Sequence, residues 1–275
     1  MKTEVLRITP VMAAKMLRQN KDNRPIRRTI VENLKTAYSR GEYVMSHQGI
    51  AFSGDKLVDG QHRLTAISEM PPQFHAEMLV FHGVDPKAAK VMDIGYKRTA
   101  SDILGEERKV VECARFLAAM YEGRPNAITP TYLAPFVARI RDLHADLMSL
   151  CPTACRTWSS APVRAAVVMV GLAGGDLDYA KLVYRAMVQQ DFTTMPTSAQ
   201  SLFRAHMHGK VRASLAPDIF VRALKIFNPV NAKLTKIQVS DTAPALEIVR
   251  GVLRKEVFGV DVKKKGNGAS PLNEI

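Results

Sequence analysis

The sequence has few cysteines and few combinations of residues that bind metals. Its three cysteines, Cys113, Cys151 and Cys155, are an odd and sparse set, which argues against a disulfide framework. Cys151 and Cys155 have a spacing that two metal ligands can use, but a structural zinc site needs four ligands and no second pair is present. We therefore expect buried, reduced thiols.

Long apolar runs are also lacking. The N-terminus has no apolar stretch of the length found in signal peptides. The most apolar stretch, residues 161–174, contains Arg164 and is too short to span a bilayer, so it is predicted to be a helix of the hydrophobic core. The sequence thus predicts no membrane association and a cytoplasmic location.

Negative charge is in the minority. The chain has 39 Lys and Arg residues against 26 Asp and Glu residues, which gives a formal net charge of +13. A charge of this size attracts polyanions, and nucleic acid, with DNA favoured, is the predicted partner. The alternative is a generally basic surface without a specific partner. Whether copies of the chain form a homo-oligomer stays open.

Hydrophobic periodicity divides the 275 residues into two parts. Residues 1–105 mix helical and strand-like patterns, and residues 106–262 show helical periodicity almost throughout. We predict an α+β fold in which a small mixed α/β N-terminal domain precedes an all-α domain. Residues 263–275 are predicted to form a basic, flexible tail. The short strands of the first part are predicted at 43–46, 49–53, 57–58 and 76–81.

Two helix starts are predicted near the N-terminus. Thr9 and Pro10 combine a hydroxyl N-cap with a proline at the first helical position. Thr29 and Glu32 have the spacing of a capping box, which predicts that a second helix starts beside Thr29.

The most informative segment reads Asp59-Gly60-Gln61-His62-Arg63 and lies between a predicted strand and a predicted helix. The N–H groups of Gln61, His62 and Arg63 then fall in the first helical turn, where they lack intrahelical partners. The helix dipole favours negative charge at the same place. Gly60 lets a ligand approach the backbone, and Arg63 offers a planar fork for two phosphate oxygens. The segment therefore predicts a phosphate-binding site.

Side chains around this segment have two interpretations. His62 could donate to an oxyanion or move a proton near neutral pH, and Asn20, Asn23 and Arg24 could line the same pocket. Alternatively, Asp59 only caps a helix, His62 and Arg63 are surface residues, and the asparagines mark the polar end of a helix.

A second cluster comprises Asp93, Lys97 and Arg98. Asp93 is the predicted metal ligand or base, since its carboxylate could hold Mg²⁺, and Lys97 and Arg98 could reach phosphates. The alternative is a solvated turn in which Thr99 or Ser101 caps the next helix.

The segment at 59–63 resembles the central motif of the ParB N-terminal-like superfamily, which also includes sulfiredoxin and a free-serine kinase. Its order of residues, Asp-Gly-Gln-His-Arg, is especially similar to that of the DGQHR-type branch found in phage and mobile-element proteins. The resemblance covers about the first 105 residues. The order of the surrounding features is similar as well: Ile8 and Pro10, then Asn23-Arg24, a helix, Gly41 and short strands.

The resemblance implies that Gly60, Gln61, His62 and Arg63 contact the phosphates of a nucleoside triphosphate, ATP or CTP. The favoured hypothesis is an enzyme that hydrolyses the nucleotide or transfers its phosphate. Under this hypothesis, Asp59 or Asp93 binds Mg²⁺ or activates the group that accepts the phosphate, and His62 assists the reaction.

Two other functions are compatible with the resemblance. One is a non-catalytic DNA-binding protein for which the nucleotide is a conformational ligand, and the other is a ParB-like nuclease. The sequence lacks a dense carboxylate cluster that would favour a nuclease. No helix-turn-helix pattern follows the motif, and no cysteine lies beside His62, which argues against a partition clamp and against sulfiredoxin chemistry.

Overall fold

The helices and strands of the protein confirm the predicted α+β class. They group into two compact units, Met1–Arg98 and Thr99–Ile275. The first unit contains a four-stranded sheet and helices, whereas the described residues of the second form helices only. The residues that a computed structural model describes are 1–21, 23–85, 87, 98–123, 128–151, 155–211, 216–260 and 270–275.

The sheet of the first unit has the strand order β1-β4-β2-β3. Strand β4 lies in its interior, pairing antiparallel with β1 and parallel with β2, while β2 and β3 form an antiparallel hairpin. The elements of this unit are β1 (Lys2–Ile8), α1 (Pro10–Leu17), α2 (Arg28–Ser39), β2 (Ile50–Ser53), β3 (Lys56–Asp59), α3 (Gln61–Ser68) and β4 (Ala76–His82).

The predicted strands are confirmed at β2, β3 and β4, one predicted strand is wrong, and one observed strand was missed. Residues 43–46 form no strand; Tyr43 packs edge-to-face on Tyr38, with ring centroids 5.3 Å apart, and donates its hydroxyl to Glu77 O. Strand β1 was not predicted. Its alternation is weak, and its pairing with β4 joins segments that are far apart in the sequence.

Helix starts in the first unit show where local signals are sufficient. Thr9 caps α1 as predicted, since its hydroxyl accepts a hydrogen bond from Met12 N. The predicted capping box at Thr29 is wrong because the N-cap of α2 is Arg27, two residues earlier, and the helix begins at Arg28. The Arg27 N–H donates to His62 Nε2, so a contact distant in sequence replaces the local capping box.

The second unit has its own hydrophobic core, which includes the single tryptophan, Trp158, and nearly all of helix α7. The prediction of a core helix at 161–174 is thereby confirmed. The helices are α4 (Ala100–Leu104), α5 (Arg108–Glu122), α6 (Pro130–Leu150), α7 (Ala161–Leu172), α8 (Leu177–Gln189), α9 (Thr197–Met207), α10 (Ala216–Ile226) and α11 (Ala243–Phe258), with 3-10 helices at Pro229–Asn231 and Pro271–Glu274.

The boundary between the units falls at residues 98 and 99, slightly before the predicted position at 105. Helix α4 begins with a capping box in which Thr99 Oγ1 accepts from Asp102 N and the Asp102 carboxylate accepts from Thr99 N. Thr99 therefore caps a helix, as the solvated-turn interpretation expects. Because α4 contacts α5 and α6, it belongs to the helical unit.

The end of the chain differs from the predicted flexible tail. Residues 261–269 lie outside the described part, but Pro271–Glu274 is a 3-10 helix. Leu272 is buried in the core of the helical unit, and Asn273 accepts a hydrogen bond from Asn228. Ile275 packs against the same core, so two apolar side chains anchor the end of a segment that is otherwise polar.

The three cysteines are free thiols, as predicted; Cys113 and Cys151 are buried and Cys155 is half-buried. Within the described ranges, no helix is both long and apolar enough to cross a membrane.

Candidate functional site

A glycine turn joins β3 to α3 and fixes the geometry of the segment at 59–63. Gly60 has φ +98°, a left-handed conformation that favours glycine. A Cβ atom on Gly60 would lie 2.5 Å from Ile50 Cδ1, so the position also lacks space for a side chain. Asp59 Oδ1 accepts from the Gly60 N–H at 2.7 Å and holds the turn closed.

The first turn of α3 presents unused backbone donors. Leu64 N is the first amide to bond within the turn, to Gly60 O at 2.9 Å. The N–H groups of Gln61, His62 and Arg63 find no acceptor among the described residues. Three N–H groups at the positive end of a helix dipole are the donors that an anion requires.

The side chain of Gln61 holds a neighbouring segment and points away from solvent. Gln61 is 6% exposed. Its amide nitrogen donates to Arg24 O at 2.9 Å, and its amide oxygen accepts from Asn20 Nδ2 at 3.2 Å. Both ends of the amide are thus engaged with residues 20–24, the segment that the sequence placed beside the pocket.

His62 is also buried and engaged. Its Nε2 atom accepts from the Arg27 N–H at 3.1 Å, which assigns the neutral tautomer with the proton on Nδ1. Burial lowers the pKa of His62, and the positive charges of Arg24, Arg27 and Arg63 lower it further, whereas Asp59 acts in the opposite direction. The imidazole is therefore neutral at pH 7, and its acceptor nitrogen positions Arg27.

Arg63 is tied to the sheet. Its Nη1 atom donates to Gly49 O at 2.7 Å and lies 3.5 Å from Asp59 Oδ2. Gly49 itself lies so close to β4 that a Cβ atom there would be 2.0 Å from Leu79 O. About a fifth of the Arg63 side chain stays exposed, so the guanidinium retains edges for a ligand.

Residues 19–27 are bound to β3 as well as to the motif. Leu57 N donates to Gln19 O at 3.0 Å, and Asn23 Nδ2 donates to Leu57 O at 2.7 Å. The same asparagine amide reaches Asn20 Oδ1 at 2.6 Å. Together with the bonds to Gln61 and His62, these contacts hold the segment along the start of α3.

The structure brings most of the predicted site residues together. Asp59, Gly60, Gln61, His62 and Arg63 share one turn. Arg24 lies beside them, since its carbonyl binds Gln61 and its charge acts on His62.

The second predicted cluster falls mostly outside the described residues. Asp93 and Lys97 lie outside the described residues, and Arg98 is an exposed residue at the end of the first unit. Arg27 was missed by sequence reasoning. Its position beside Asn23-Arg24, in a stretch with a cation at every third residue, is the signal that could have found it.

The described residues fit phosphate better than Mg²⁺. Both carboxylate oxygens of Asp59 are engaged, one by the Gly60 N–H and one by Arg63. No group of three His, Cys, Asp or Glu side chains in the described ranges is arranged to hold a metal ion. We therefore assign no step to a metal in this turn.

Comparison with known proteins adds no relative: no protein family, no curated protein and no solved structure matches the chain.

Proposed function

We propose that the chain is a ParB-like nucleoside-triphosphate-binding protein that acts with nucleic acid, and that the start of α3 holds the phosphates. The observation that carries the proposal is the turn at Gly60. It leaves three amide donors without acceptors in the described chain and lies within the field of three arginines, Arg24, Arg27 and Arg63. Amide donors and guanidinium groups are the usual partners of phosphate oxygens.

In this proposal, the backbone and the side chains of the motif have different roles. The amides of Gln61, His62 and Arg63 bind the anion, while the buried side chains of Gln61 and His62 hold the arginine-bearing segment beside it. Because His62 Nε2 is occupied by Arg27 N–H, the geometry favours binding over proton transfer by His62. Hydrolysis or phosphate transfer would depend on a further group, for which Asp93 is the candidate from sequence.

Calorimetric titration with ATP, CTP, GTP and UTP, each with and without Mg²⁺, tests the proposal. We expect one nucleotide to bind wild type, and Arg63→Ala to weaken its binding at least about tenfold, because a charge-assisted hydrogen bond contributes about 1.5–3 kcal/mol. Arg63→Lys keeps the charge but loses the planar guanidinium group, so its nucleotide affinity should lie between those of wild type and Arg63→Ala.

Arg7→Ala is the matched control, since Arg7 is an exposed arginine of the same unit that contacts His75 instead of the motif. It should bind within about twofold of wild type, because it leaves the site intact. Circular dichroism should show that both variants are folded. Wild-type affinity in folded Arg63→Ala, or no binding of any nucleotide, contradicts the proposal.

Turnover is measured separately on the same proteins. If the chain hydrolyses the nucleotide, Asp93→Ala should abolish turnover and leave nucleotide binding within a few-fold of wild type. Turnover at the wild-type rate in Arg63→Ala would show that the chemistry takes place elsewhere.

A further inference from the structure

We propose that residues 15–28, the basic segment, form the surface on which the protein binds the phosphodiester backbone of nucleic acid. This inference rests on the nucleic-acid partner in the proposed function and assigns that partner a location. The segment has a single acidic residue, Asp22, and six cations that are all exposed: Lys15, Arg18, Lys21, Arg24, Arg27 and Arg28.

Four of the six cations of the basic segment have no ion pair with the described residues. Arg28 pairs with Glu69 at 2.6 Å and with Glu32 at 3.1 Å. No carboxylate in the described part of the chain lies within ion-pair distance of the following cations: Lys15, Arg18, Lys21 and Arg27. Such a set attracts an external polyanion, because no internal partner has to be displaced first.

The helical unit provides the contrast that locates the surface. Some of its cations are held by carboxylates, as in Arg139–Glu256, Arg141–Glu106 and Arg222–Asp218, and a phosphate approaching these arginines competes with an existing ion pair. Others, such as Arg185, Arg204 and Arg254, have no ion pair in the described chain, but they lie on separate helices, α8, α9 and α11. The basic segment differs because its unpaired cations follow one another closely in sequence.

Hydrogen bonds to the motif and to β3 hold the backbone of the basic segment at Gln19, Arg24 and Arg27. Gln19 O, Arg24 O and Arg27 N are all bonded outside the segment, to Leu57 N, Gln61 Nε2 and His62 Nε2. Because these bonds use backbone atoms of the segment, they do not occupy its charged side chains. A fixed backbone lowers the entropy lost on binding, which distinguishes this surface from a flexible basic tail.

The chemistry of the segment favours nucleic acid over a single nucleotide or an acidic peptide. Lys15 belongs to α1, whereas Arg27 is the N-cap of α2, so the cations lie on separate elements. A polymer of phosphates contacts such a set simultaneously. Arginines predominate, and their planar guanidinium groups match pairs of phosphate oxygens.

Fluorescence anisotropy with duplex DNA, single-stranded DNA and single-stranded RNA of one length tests the proposal. Titrations between about 50 mM and about 200 mM salt give the number of phosphate contacts from the slope of log K against log salt. Lys15→Gln, Arg18→Gln and Lys21→Gln are combined in one variant. These three residues lie outside the nucleotide site, so its nucleotide affinity should equal that of wild type.

The matched control removes the same charge from the helical unit. It combines Lys210→Gln, Lys233→Gln and Lys236→Gln, three exposed lysines for which the described residues provide no ion pair. We expect the variant in the basic segment to bind at least about tenfold more weakly and to lose about two to three units of salt slope on duplex DNA, since each contact contributes about 0.9. The control should change affinity less than about threefold.

Each outcome has a definite meaning. The probe that binds most tightly shows whether the phosphodiester backbone that the protein binds is that of duplex DNA, single-stranded DNA or RNA. Equal losses in the variant and in the control would overturn the proposal, because net charge alone would then explain binding. Tighter binding of polyglutamate than of any nucleic acid would replace the partner by an acidic protein. Loss of nucleotide binding in Arg63→Ala, with nucleic-acid binding intact, separates the two sites.

Discussion

The two units carry a similar excess of positive charge but use it differently. The first 98 residues have a formal charge of +6 and the other 177 have +7. In the helical unit some cations form ion pairs within the protein, and others, such as Lys210, Lys233 and Lys236, have none in the described chain. In the basic segment, four cations without a carboxylate partner among the described residues fall within 13 residues of sequence. The units therefore differ in how closely their unpaired cations follow one another, and not in net charge.

Buried polar groups of two kinds occur in the protein. Gln61 and His62 of the first unit are buried with hydrogen bonds made to the basic segment. Other buried polar atoms have no partner in the described ranges: Asn33 Oδ1 and the Tyr38 hydroxyl in the first unit, and His144 Nε2, Arg164 Nε and the Tyr184 hydroxyl among those of the helical unit. Atoms of the second kind cost stability, whereas those of Gln61 and His62 hold a neighbouring segment in place.

The largest effect is expected at the junction of the motif with the sheet. Gly49→Ala places a Cβ atom 2.0 Å from the carbonyl oxygen of Leu79, so a strand has to move. We expect a loss of about 3 kcal/mol or more, observed by circular dichroism in urea. Emission of Trp158 should change little, because this residue belongs to the separate core of the helical unit.

Gly54→Ala is the control for that prediction. Gly54 has φ +56° but open space around it, so the cost should be only the conformational one, about 1–2 kcal/mol. A similar loss for both substitutions would show that the close approach to Leu79 is unimportant.

Acid should destabilise the helical unit through His144. Burial lowers the pKa of His144 from 6.5 to about 4, and the charges of Arg164 and Lys109 act in the same direction. The folded state thus disfavours the proton that the unfolded state accepts, so stability is full above pH 6.5 and is lost as the pH falls toward 4. The expected loss is on the order of 3 kcal/mol, followed by Trp158 emission in urea at each pH.

Removal of the titrating group sharpens the comparison between the units. In His144→Gln the dependence of stability on pH between 6.5 and 4 should become much flatter for the helical unit. An unchanged slope in this variant would assign the acid sensitivity to other groups.

The smallest effect is expected at an exposed charge network in the first unit. Glu69 accepts hydrogen bonds from Arg28 and Lys35, and the bond from Arg28 is the main reason that its pKa falls to about 2. Its stabilisation is present above pH 4.5 and is lost as the pH falls toward 2. Because nearly a third of the side chain is exposed, Glu69→Gln should cost less than about 1 kcal/mol.

Salt tests that prediction directly. The difference between wild type and Glu69→Gln should shrink between low and high salt, because the charges of the network are screened. A difference that is larger than expected and independent of salt would mean that Glu69 is held by packing.

Local patterns predict much of the fold but little of the site. The start of helix α1 was predicted at Thr9 and Pro10 because its hydroxyl cap and its first-turn proline are local signals. Strand β1 was missed because its stability comes from pairing with β4. The motif at 59–63 was identified from the sequence as a candidate phosphate site. The hydrogen bonds that Gln61 and His62 make to the basic segment could not be predicted, because they join residues some 35 positions apart in the chain.

The position of β4 in the sheet has a consequence for synthesis of the chain. Both β1 and β2 pair with β4, which is the last of the four strands to be made. During translation at about 5–20 residues per second, β1 leaves the ribosome on the order of ten seconds before its partner. Throughout that interval β1 lacks its partner strand, so a chaperone that binds extended segments would have its best opportunity there.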